Sequence, residues 1–177
     1  MIKVINIFGA PGCGKSTTPA GLFWRMKCAN MSVELVSEYA KACVFEERDN
    51  LIKEDQLYIF TKQHRALFRI KDTYEYAIMD SPIVLSSLYR SYDSFYDKEM
   101  FDELVFSTFT KYDNKNFVIM LDENQYEERG RVHSFNESKK LQTRMWNMLY
   151  QHDIRFSVCK RKNAVNDIFS KLFEDNS

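Results

Sequence analysis

A glycine-rich segment of eight residues near the start of the chain constrains its fold more than any other feature. It reads GAPGCGKS at positions 9–16 and matches the pattern G-x-x-x-x-G-K-[ST] in full. The apolar run Lys3–Phe8 before it predicts a buried strand, and positions 15–28 predict a helix. A tight turn between a strand and a helix aims backbone N–H groups and the positive helix end at one point. The segment is therefore predicted to be a phosphate-binding loop, called the P-loop below.

Strands and helices alternate along the rest of the chain. Short apolar runs predict further strands at 33–36, 76–79, 117–121 and 155–158, and helical patterns lie at 52–70, 101–109, 138–151 and 164–173. This order predicts an α/β protein of the P-loop NTPase fold, a parallel sheet of about five strands with helices on both faces. The 177 residues contain no linker, so a single domain over 1–177 is expected.

Composition narrows the expected partners and setting. Lys plus Arg equals Asp plus Glu at 25 each, so no overall positive field favours DNA or a membrane surface. The four cysteines form no C-x-x-C pair, which argues against a zinc site and indicates a reducing environment. Apolar runs fall short of the roughly 18–20 residues of a membrane span, and the start lacks a signal-peptide layout. We therefore expect a cytoplasmic protein with no membrane partner.

Side chains suited to phosphoryl chemistry follow three of the predicted strands. Lys15 of the P-loop is expected to reach the outer phosphates, and the Ser16 hydroxyl to ligate Mg²⁺. Asp80 follows the third strand and can hold Mg²⁺ or its bound water. Glu38 follows the second strand and can take the proton of an attacking hydroxyl. All four should meet at the carboxyl edge of the sheet. Helix capping is the alternative for both acids, and which of them is the general base stays open.

The nucleotide is expected to contact the whole P-loop and a lid. The loop contacts are predicted at Gly9, Ala10, Pro11, Gly12, Cys13, Gly14, Lys15, Ser16 and Thr17. A lid is predicted around 123–137, because an arginine on a mobile loop can stabilise the charge of a transferring phosphoryl group. Arg131 is expected in the catalytic role and Arg129 in nucleotide binding. An exposed charged turn is the alternative for this segment.

The helical region 52–70 carries candidates for binding the acceptor. Arg65 and Arg69 are one turn apart, with Lys62 nearby, and are expected to bind acceptor phosphates or a nucleic-acid backbone. Gln63 is expected to hydrogen-bond the edge of a base. A solvated helix face is the alternative for the charged residues.

Several segments, taken in chain order, resemble small bacteriophage P-loop ATP-binding proteins. They are FGAPGCGKSTT at 8–18, AGLF at 20–23, VELVSEYAK at 33–41, DQLY at 55–58, KQHR at 62–65, DSP at 80–82 and GR at 130–131. That family is related to nucleoside, nucleotide and nicotinamide-riboside kinases. The resemblance implies ATP and Mg²⁺ as cofactors, Glu38 as the acid after the second strand, and Arg131 in the lid. It also implies that some members phosphorylate 5-hydroxymethyluridine within phage DNA.

Three classes of function compete. The leading one is an ATP-dependent kinase that transfers the γ-phosphate to a hydroxyl of a nucleoside-type acceptor. The phage resemblance makes the hydroxymethyl group of 5-hydroxymethyluridine in phage DNA the preferred acceptor. The neutral charge favours a small acceptor instead, and the alternative is a nucleoside, nucleotide or nicotinamide-riboside kinase. A non-catalytic ATP-binding or ATPase module would not need Glu38. A GTPase switch is suggested by TKYD at 110–113, but this tetrapeptide follows a predicted helix rather than a strand.

Overall fold

The computed structural model describes residues 1–91, 95–123, 126 and 134–174. Its strands are β1 (Lys3–Phe8), β2 (Val33–Val36), β3 (Tyr76–Met79), β4 (Asp113–Ile119) and β5 (Ser157–Cys159). Its helices are α1 (Thr17–Cys28), α2 (Tyr39–Phe45), α3 (Asp49–Glu54), α4 (Gln56–Phe68), α5 (Leu85–Tyr89), α6 (Lys98–Phe109), α7 (Phe135–Gln151) and α8 (Ala164–Glu174). A 3₁₀ turn, Arg161–Asn163, lies between β5 and α8. Within these ranges no helix is both long and apolar enough to cross a bilayer.

The five strands form one sheet in the order β2-β3-β1-β4-β5, and every pairing is parallel. The predicted α/β fold of the P-loop NTPase type is therefore confirmed. β1 lies at the centre of the sheet, and its residues from Val4 to Phe8 are all buried. A nearly continuous apolar run is what a parallel strand covered on both faces requires.

The helices cover both faces of the sheet because side chains of β1 alternate between two cores. Val4 and Phe8 pack in one core with apolar residues of α4, α5, α6 and α7. Ile5 and Ile7 pack in the other core, with residues of α1 and α8 such as Leu22. Successive side chains of a strand point to opposite faces of the sheet. This alternation therefore determines which helices pack on each face.

The structure differs from the sequence predictions chiefly in three respects. The predicted helix at 52–70 is two helices, because Asp55 interrupts it and its side chain caps α4 by accepting from the Tyr58 N–H at 2.9 Å. β4 begins at Asp113 rather than 117, since the polar residues 113–116 also pair with β1. Helices α2 and α5 were not predicted, and at 7 and 5 residues they are too short to show a clear period.

A buried asparagine joins the two central strands. Asn6 of β1 is 1% exposed. Its amide donates to Oδ1 of Asn114 at 2.8 Å and to Oδ1 of Asn116 at 3.0 Å, both on β4. The network therefore helps to hold the strand that leads into the P-loop in register with its neighbour.

We predict that Asn6→Leu lowers the free energy of unfolding by about 1–3 kcal/mol, because it leaves two partly buried amide oxygens, of Asn114 and Asn116, without their donor. Urea denaturation monitored by tryptophan fluorescence measures the change. Asn147→Ala on the exposed side of α7 is the control and should stay within about 0.5 kcal/mol of the parent. Equal stability of parent and Asn6→Leu would contradict the role given to the network.

Candidate active site

The P-loop curls at the carboxyl edge of the sheet, between β1 and α1. Gly12 and Gly14 have φ angles of +89° and +88°, a region that disfavours side chains. The Cys13 N–H donates to the Ala10 carbonyl at 3.2 Å, and the Thr17 N–H donates to the Gly14 carbonyl at the same distance. The Thr17 hydroxyl also donates to the Gly14 carbonyl, at 2.8 Å. These bonds close the loop onto the first turn of α1.

Two side chains pack directly against these glycines. A Cβ on Gly12 would overlap the Tyr126 ring, and a Cβ on Gly14 would lie 2.6 Å from Nε of Arg161. Arg161 was not among the predicted site residues. It comes two positions after β5, and a cation just past a parallel strand is the signal that could have indicated it.

Lys15 and Glu38 form the charged centre of the site. Their Nζ and Oε1 atoms are 4.0 Å apart. Glu38 is the N-cap residue of α2, yet its side chain makes no capping hydrogen bond. The carboxylate therefore faces the P-loop lysine instead of serving the helix, and the alternative of a purely capping acid is not what the structure shows.

The charge of Lys15 is maintained by its neighbours. Burial lowers the pKa of Lys15, but the Glu38 carboxylate, followed by Tyr89 and Asp80, raises it by more. The net pKa lies above the usual value for a lysine, so the ammonium group stays protonated at neutral pH. A fixed cation at this point of a P-loop is suited to anionic oxygens.

Asp80 immediately follows β3 and presents an unpaired oxygen. Its Oδ1 atom is buried and has no hydrogen-bond partner among the described residues. Burial raises the pKa of Asp80, Lys15 lowers it, and the net shift is upward. The Ser16 side chain makes no capping bond at the start of α1. A carboxylate and a hydroxyl oxygen are donors that fit Mg²⁺, which takes few protein ligands beside phosphates.

The predicted loop residues surround one cavity of about 300 Å³. It is lined by Ala10, Pro11, Gly12, Gly14, Lys15, Ser16, Thr17, Glu38, Tyr89 and Arg161. Gly9 and Cys13 are buried beside it, and a Cβ on Gly9 would overlap Sγ of Cys13. Gly9 and Cys13 therefore pack within the loop and do not line the cavity.

The predicted contact between Gln63 and a base is wrong. Gln63 is 3% exposed. Its Oε1 atom accepts from the Tyr39 N–H at 2.9 Å, and its Nε2 atom donates to the Ser37 carbonyl at 3.2 Å. Both ends of the amide are thus held by the protein backbone.

Arg65 and Arg69 do not line the site as predicted. Arg65 is exposed and lies two positions after Gln63, which places it on the opposite side of α4. Arg69 is the C-cap of α4, at the end that leads to the start of β3 and hence to the amino edge of the sheet. The P-loop lies at the carboxyl edge.

The predicted lid at 123–137 is only partly described. Arg129 and Arg131 lie outside the described residues, so their roles remain predictions. Residues 134–137 are not loop but the start of α7. Ser134 and Glu137 form a capping box there, which fixes the helix start.

Together the buried strand, the curled loop with Lys15 and the following helix define a P-loop nucleotide-binding protein. A family model described as AAA domain matches residues 4–166, and the chain belongs to that family. A comparison with curated proteins found no match.

Solved structures with the same fold include two kinds of protein. Deoxyadenosine kinase from M. mycoides with bound dCTP has a TM-score of 0.61 and 17% identity, over 97% of this chain and 99% of that one. The NadR protein in complex with NAD and AMP-PNP has a TM-score of 0.67 and 16% identity, over 98% of this chain and 49% of that one. At these identities the similarity shows the fold.

We predict that Asp80→Asn stabilises the ligand-free protein at neutral pH. Because the pKa of Asp80 is raised in the folded state, this carboxyl costs stability once pH rises through its titration. The uncharged amide should therefore raise the free energy of unfolding at pH 7, and the difference should shrink toward pH 4. Urea denaturation at both pH values measures it.

Asp72→Asn, at an exposed aspartate, is the control and should change stability little. A less stable Asp80→Asn protein at pH 7 would mean that attraction to Lys15 outweighs the cost of burial.

Proposed function

We propose that the protein is an ATP-dependent kinase that transfers the γ-phosphate to a hydroxyl of a nucleoside-type acceptor. The observation that carries the proposal is the Glu38 carboxylate, held 4.0 Å from Lys15 and free of any capping bond. A second acid beside the P-loop lysine, in addition to the proposed metal-binding Asp80, can take the proton of a hydroxyl nucleophile.

The chain supplies most of the charge handling in phosphoryl transfer. The P-loop N–H groups and Lys15 would bind the outer phosphates, and Ser16 with Asp80 would hold Mg²⁺. When bound, Mg²⁺ neutralises charge that develops on the phosphate oxygens. Arg161, which packs against Gly14 and lines the same cavity, is proposed to contact the nucleotide.

Glu38 is proposed as the general base. The acceptor oxygen forms a bond to the γ-phosphorus while the bond from that phosphorus to the β,γ-bridging oxygen breaks. The acceptor proton passes to Glu38, and ADP leaves with the bridging oxygen. Asp80 is less suited to this step, because its proposed role is to hold Mg²⁺ and its Oδ1 atom is buried.

A free nucleoside or nucleotide is the acceptor that the site favours. The solved structures of the same fold include a deoxyadenosine kinase bound to dCTP. The neutral chain carries no broad positive field, and Arg65 and Arg69 are turned away from the cavity. These features fit a small acceptor better than a long polyanion.

The hydroxymethyl group of 5-hydroxymethyluridine in phage DNA is the second candidate. It is supported by the sequence resemblance and by a group of basic and aromatic residues next to Glu38. The Arg48 guanidinium lies 3.5 Å from the Tyr39 hydroxyl, and Lys62 lies 5.2 Å from the centre of the Tyr58 ring. Such a surface can hold a phosphate and a base of a single strand.

The GTPase alternative does not fit the fold. Residues 110–113 run from the C-cap of α6 into the first residue of β4. They therefore lie at the amino edge of the sheet, whereas the P-loop lies at the carboxyl edge. A residue that reads the base of a bound nucleotide has to be on the P-loop side.

We predict that Glu38→Gln lowers the rate of phosphate transfer by roughly 10²–10⁴-fold, the usual worth of general base catalysis, and leaves ATP binding nearly unchanged. Single-turnover transfer from radiolabelled ATP measures the rate, and titration with a fluorescent ATP analogue measures binding. Lys15→Ala is the matched comparison and should lose binding as well. Transfer at the parent rate by Glu38→Gln would refute the assigned base.

We predict turnover on a free nucleoside or mononucleotide. Its rate should hardly change between about 50 and 200 mM salt, because a small acceptor releases few counterions on binding. The panel should contain nucleosides, monophosphates, nicotinamide riboside, plain DNA and 5-hydroxymethyluridine DNA. Activity confined to the modified DNA, falling steeply with salt, would establish the second candidate instead. In that case Arg48→Ala should flatten the salt slope by about one, and Arg69→Ala should not.

A further inference from the structure

Glu38 lies in a two-residue connection in which its side chain is not held by a capping hydrogen bond. β2 ends at Val36 and α2 begins at Tyr39, so only Ser37 and Glu38 join them. The Glu38 side chain makes no capping bond, and Ser37 is exposed. Neither observation gives the carboxylate a fixed direction, although the proposed reaction needs it at one place.

Gln63 supplies the missing constraint from a different helix. Its Nε2 atom donates to the carbonyl of Ser37 at 3.2 Å, and its Oε1 atom accepts from the N–H of Tyr39 at 2.9 Å. The two bonds grip the backbone on either side of Glu38. A single amide thus spans the residue that carries the carboxylate.

The amide is itself held in place. Gln63 is buried, and its neighbours one turn away on α4, Phe60 and Leu67, lie in the core on the same side of the helix. The start of α4 is fixed by the side chain of Asp55, which accepts from the Tyr58 N–H. A buried amide is costly unless both ends are bonded, so a different rotamer is disfavoured.

The chemistry of this contact is specific to an amide. The Ser37 carbonyl needs a donor and the Tyr39 N–H needs an acceptor, and a primary amide offers both at the required separation. An ionised carboxylate has no donor, and an aliphatic side chain has neither group. The arrangement therefore explains why a polar residue lies on the buried face of α4.

We propose that Gln63 is the positioning residue that holds the Glu38 carboxylate toward Lys15 and the reacting hydroxyl. This inference rests on the proposed kinase function for its catalytic consequence, but the backbone contact does not. Gln63 touches residues 37 and 39, whereas the P-loop occupies a separate segment. Loss of the amide should therefore reduce the rate of transfer and spare nucleotide binding.

The test compares Gln63→Leu with Leu67→Ala, a core variant one turn along α4 whose native side chain cannot hydrogen-bond to residues 37–39. Both are expected to lower stability, and all measurements are made where both are folded by circular dichroism. Amide hydrogen exchange by NMR should show a faster Tyr39 N–H in Gln63→Leu and parent-like protection in Leu67→Ala. Equal protection of Tyr39 in parent and Gln63→Leu would overturn the proposal.

The catalytic arm uses a double-mutant cycle. Gln63→Leu should lower kcat by about 10–100-fold, with ATP binding within about twofold of the parent. Leu67→Ala should leave kcat close to that of the parent. In the Glu38→Gln background the same substitution should have little further effect, because Gln63 acts through Glu38. Equal losses in both backgrounds, or a loss matched by Leu67→Ala, would show a merely structural residue.

The two arms separate this inference from the function beneath it. If the parent transfers phosphate to no acceptor in the panel, the kinase proposal fails, and with it the catalytic role of Gln63. The exchange of the Tyr39 N–H still decides whether Gln63 holds the connection. If the parent is active and Tyr39 is unaffected in Gln63→Leu, the inference about Gln63 fails alone.

Discussion

The parallel pairing of β1 with β3, and of β3 with β2, determines where the chemistry of this protein lies. Asn6 of β1 is paired with Met79 of β3, and Met79 is paired with Val36 of β2. Because these residues are level across the sheet, the segments that follow them leave it side by side. The P-loop, Asp80 and Glu38 are those segments. A shift of one residue in either pairing would turn strand side chains to the wrong core, so the register that packs the cores also assembles the site.

In the assembled site the charge of Lys15 is stabilised by its neighbours, whereas that of Asp80 is not fully stabilised. Lys15 has two acids near it, and their attraction outweighs the burial that lowers the pKa of its ammonium group. Asp80 is less well stabilised, because one of its oxygens is buried without a hydrogen-bond partner among the described residues and its pKa is raised. An arrangement of this kind costs stability in the free protein, and in the proposed function Mg²⁺ and the nucleotide phosphates would offset that cost. Functional sites are where folds tolerate such costs.

The sequence predicted what depends on neighbours in the chain and missed what depends on the fold. β1, β2 and β3 have the predicted bounds, because each is a short, mostly apolar run that ends at a glycine or a polar residue. Arg161 escaped notice because its approach to Gly14 depends on the strand order of the sheet. Gln63 was misassigned although a signal existed. It lies between Phe60 and Leu67 on the apolar stripe of α4, a position that indicates an inward side chain.

The same distinction explains why nucleotide binding is easier to infer than the acceptor. The phosphate cradle is one continuous segment, and its motif carries its own geometry. The acceptor side is assembled from α2, α4 and α5, which meet only in the folded chain. There Tyr39 and Tyr58 form an edge-on aromatic pair with centroids 5.9 Å apart, next to the proposed base. Flat aromatic rings with hydroxyl groups suit a planar nucleobase with polar edges. This holds whether the nucleobase is free or part of a nucleic-acid strand. In the proposed function the class of acceptor is inferred from this local chemistry, whereas its size would depend on the surface beyond the aromatic pair, where Arg48 is the cation that hydrogen-bonds to Tyr39.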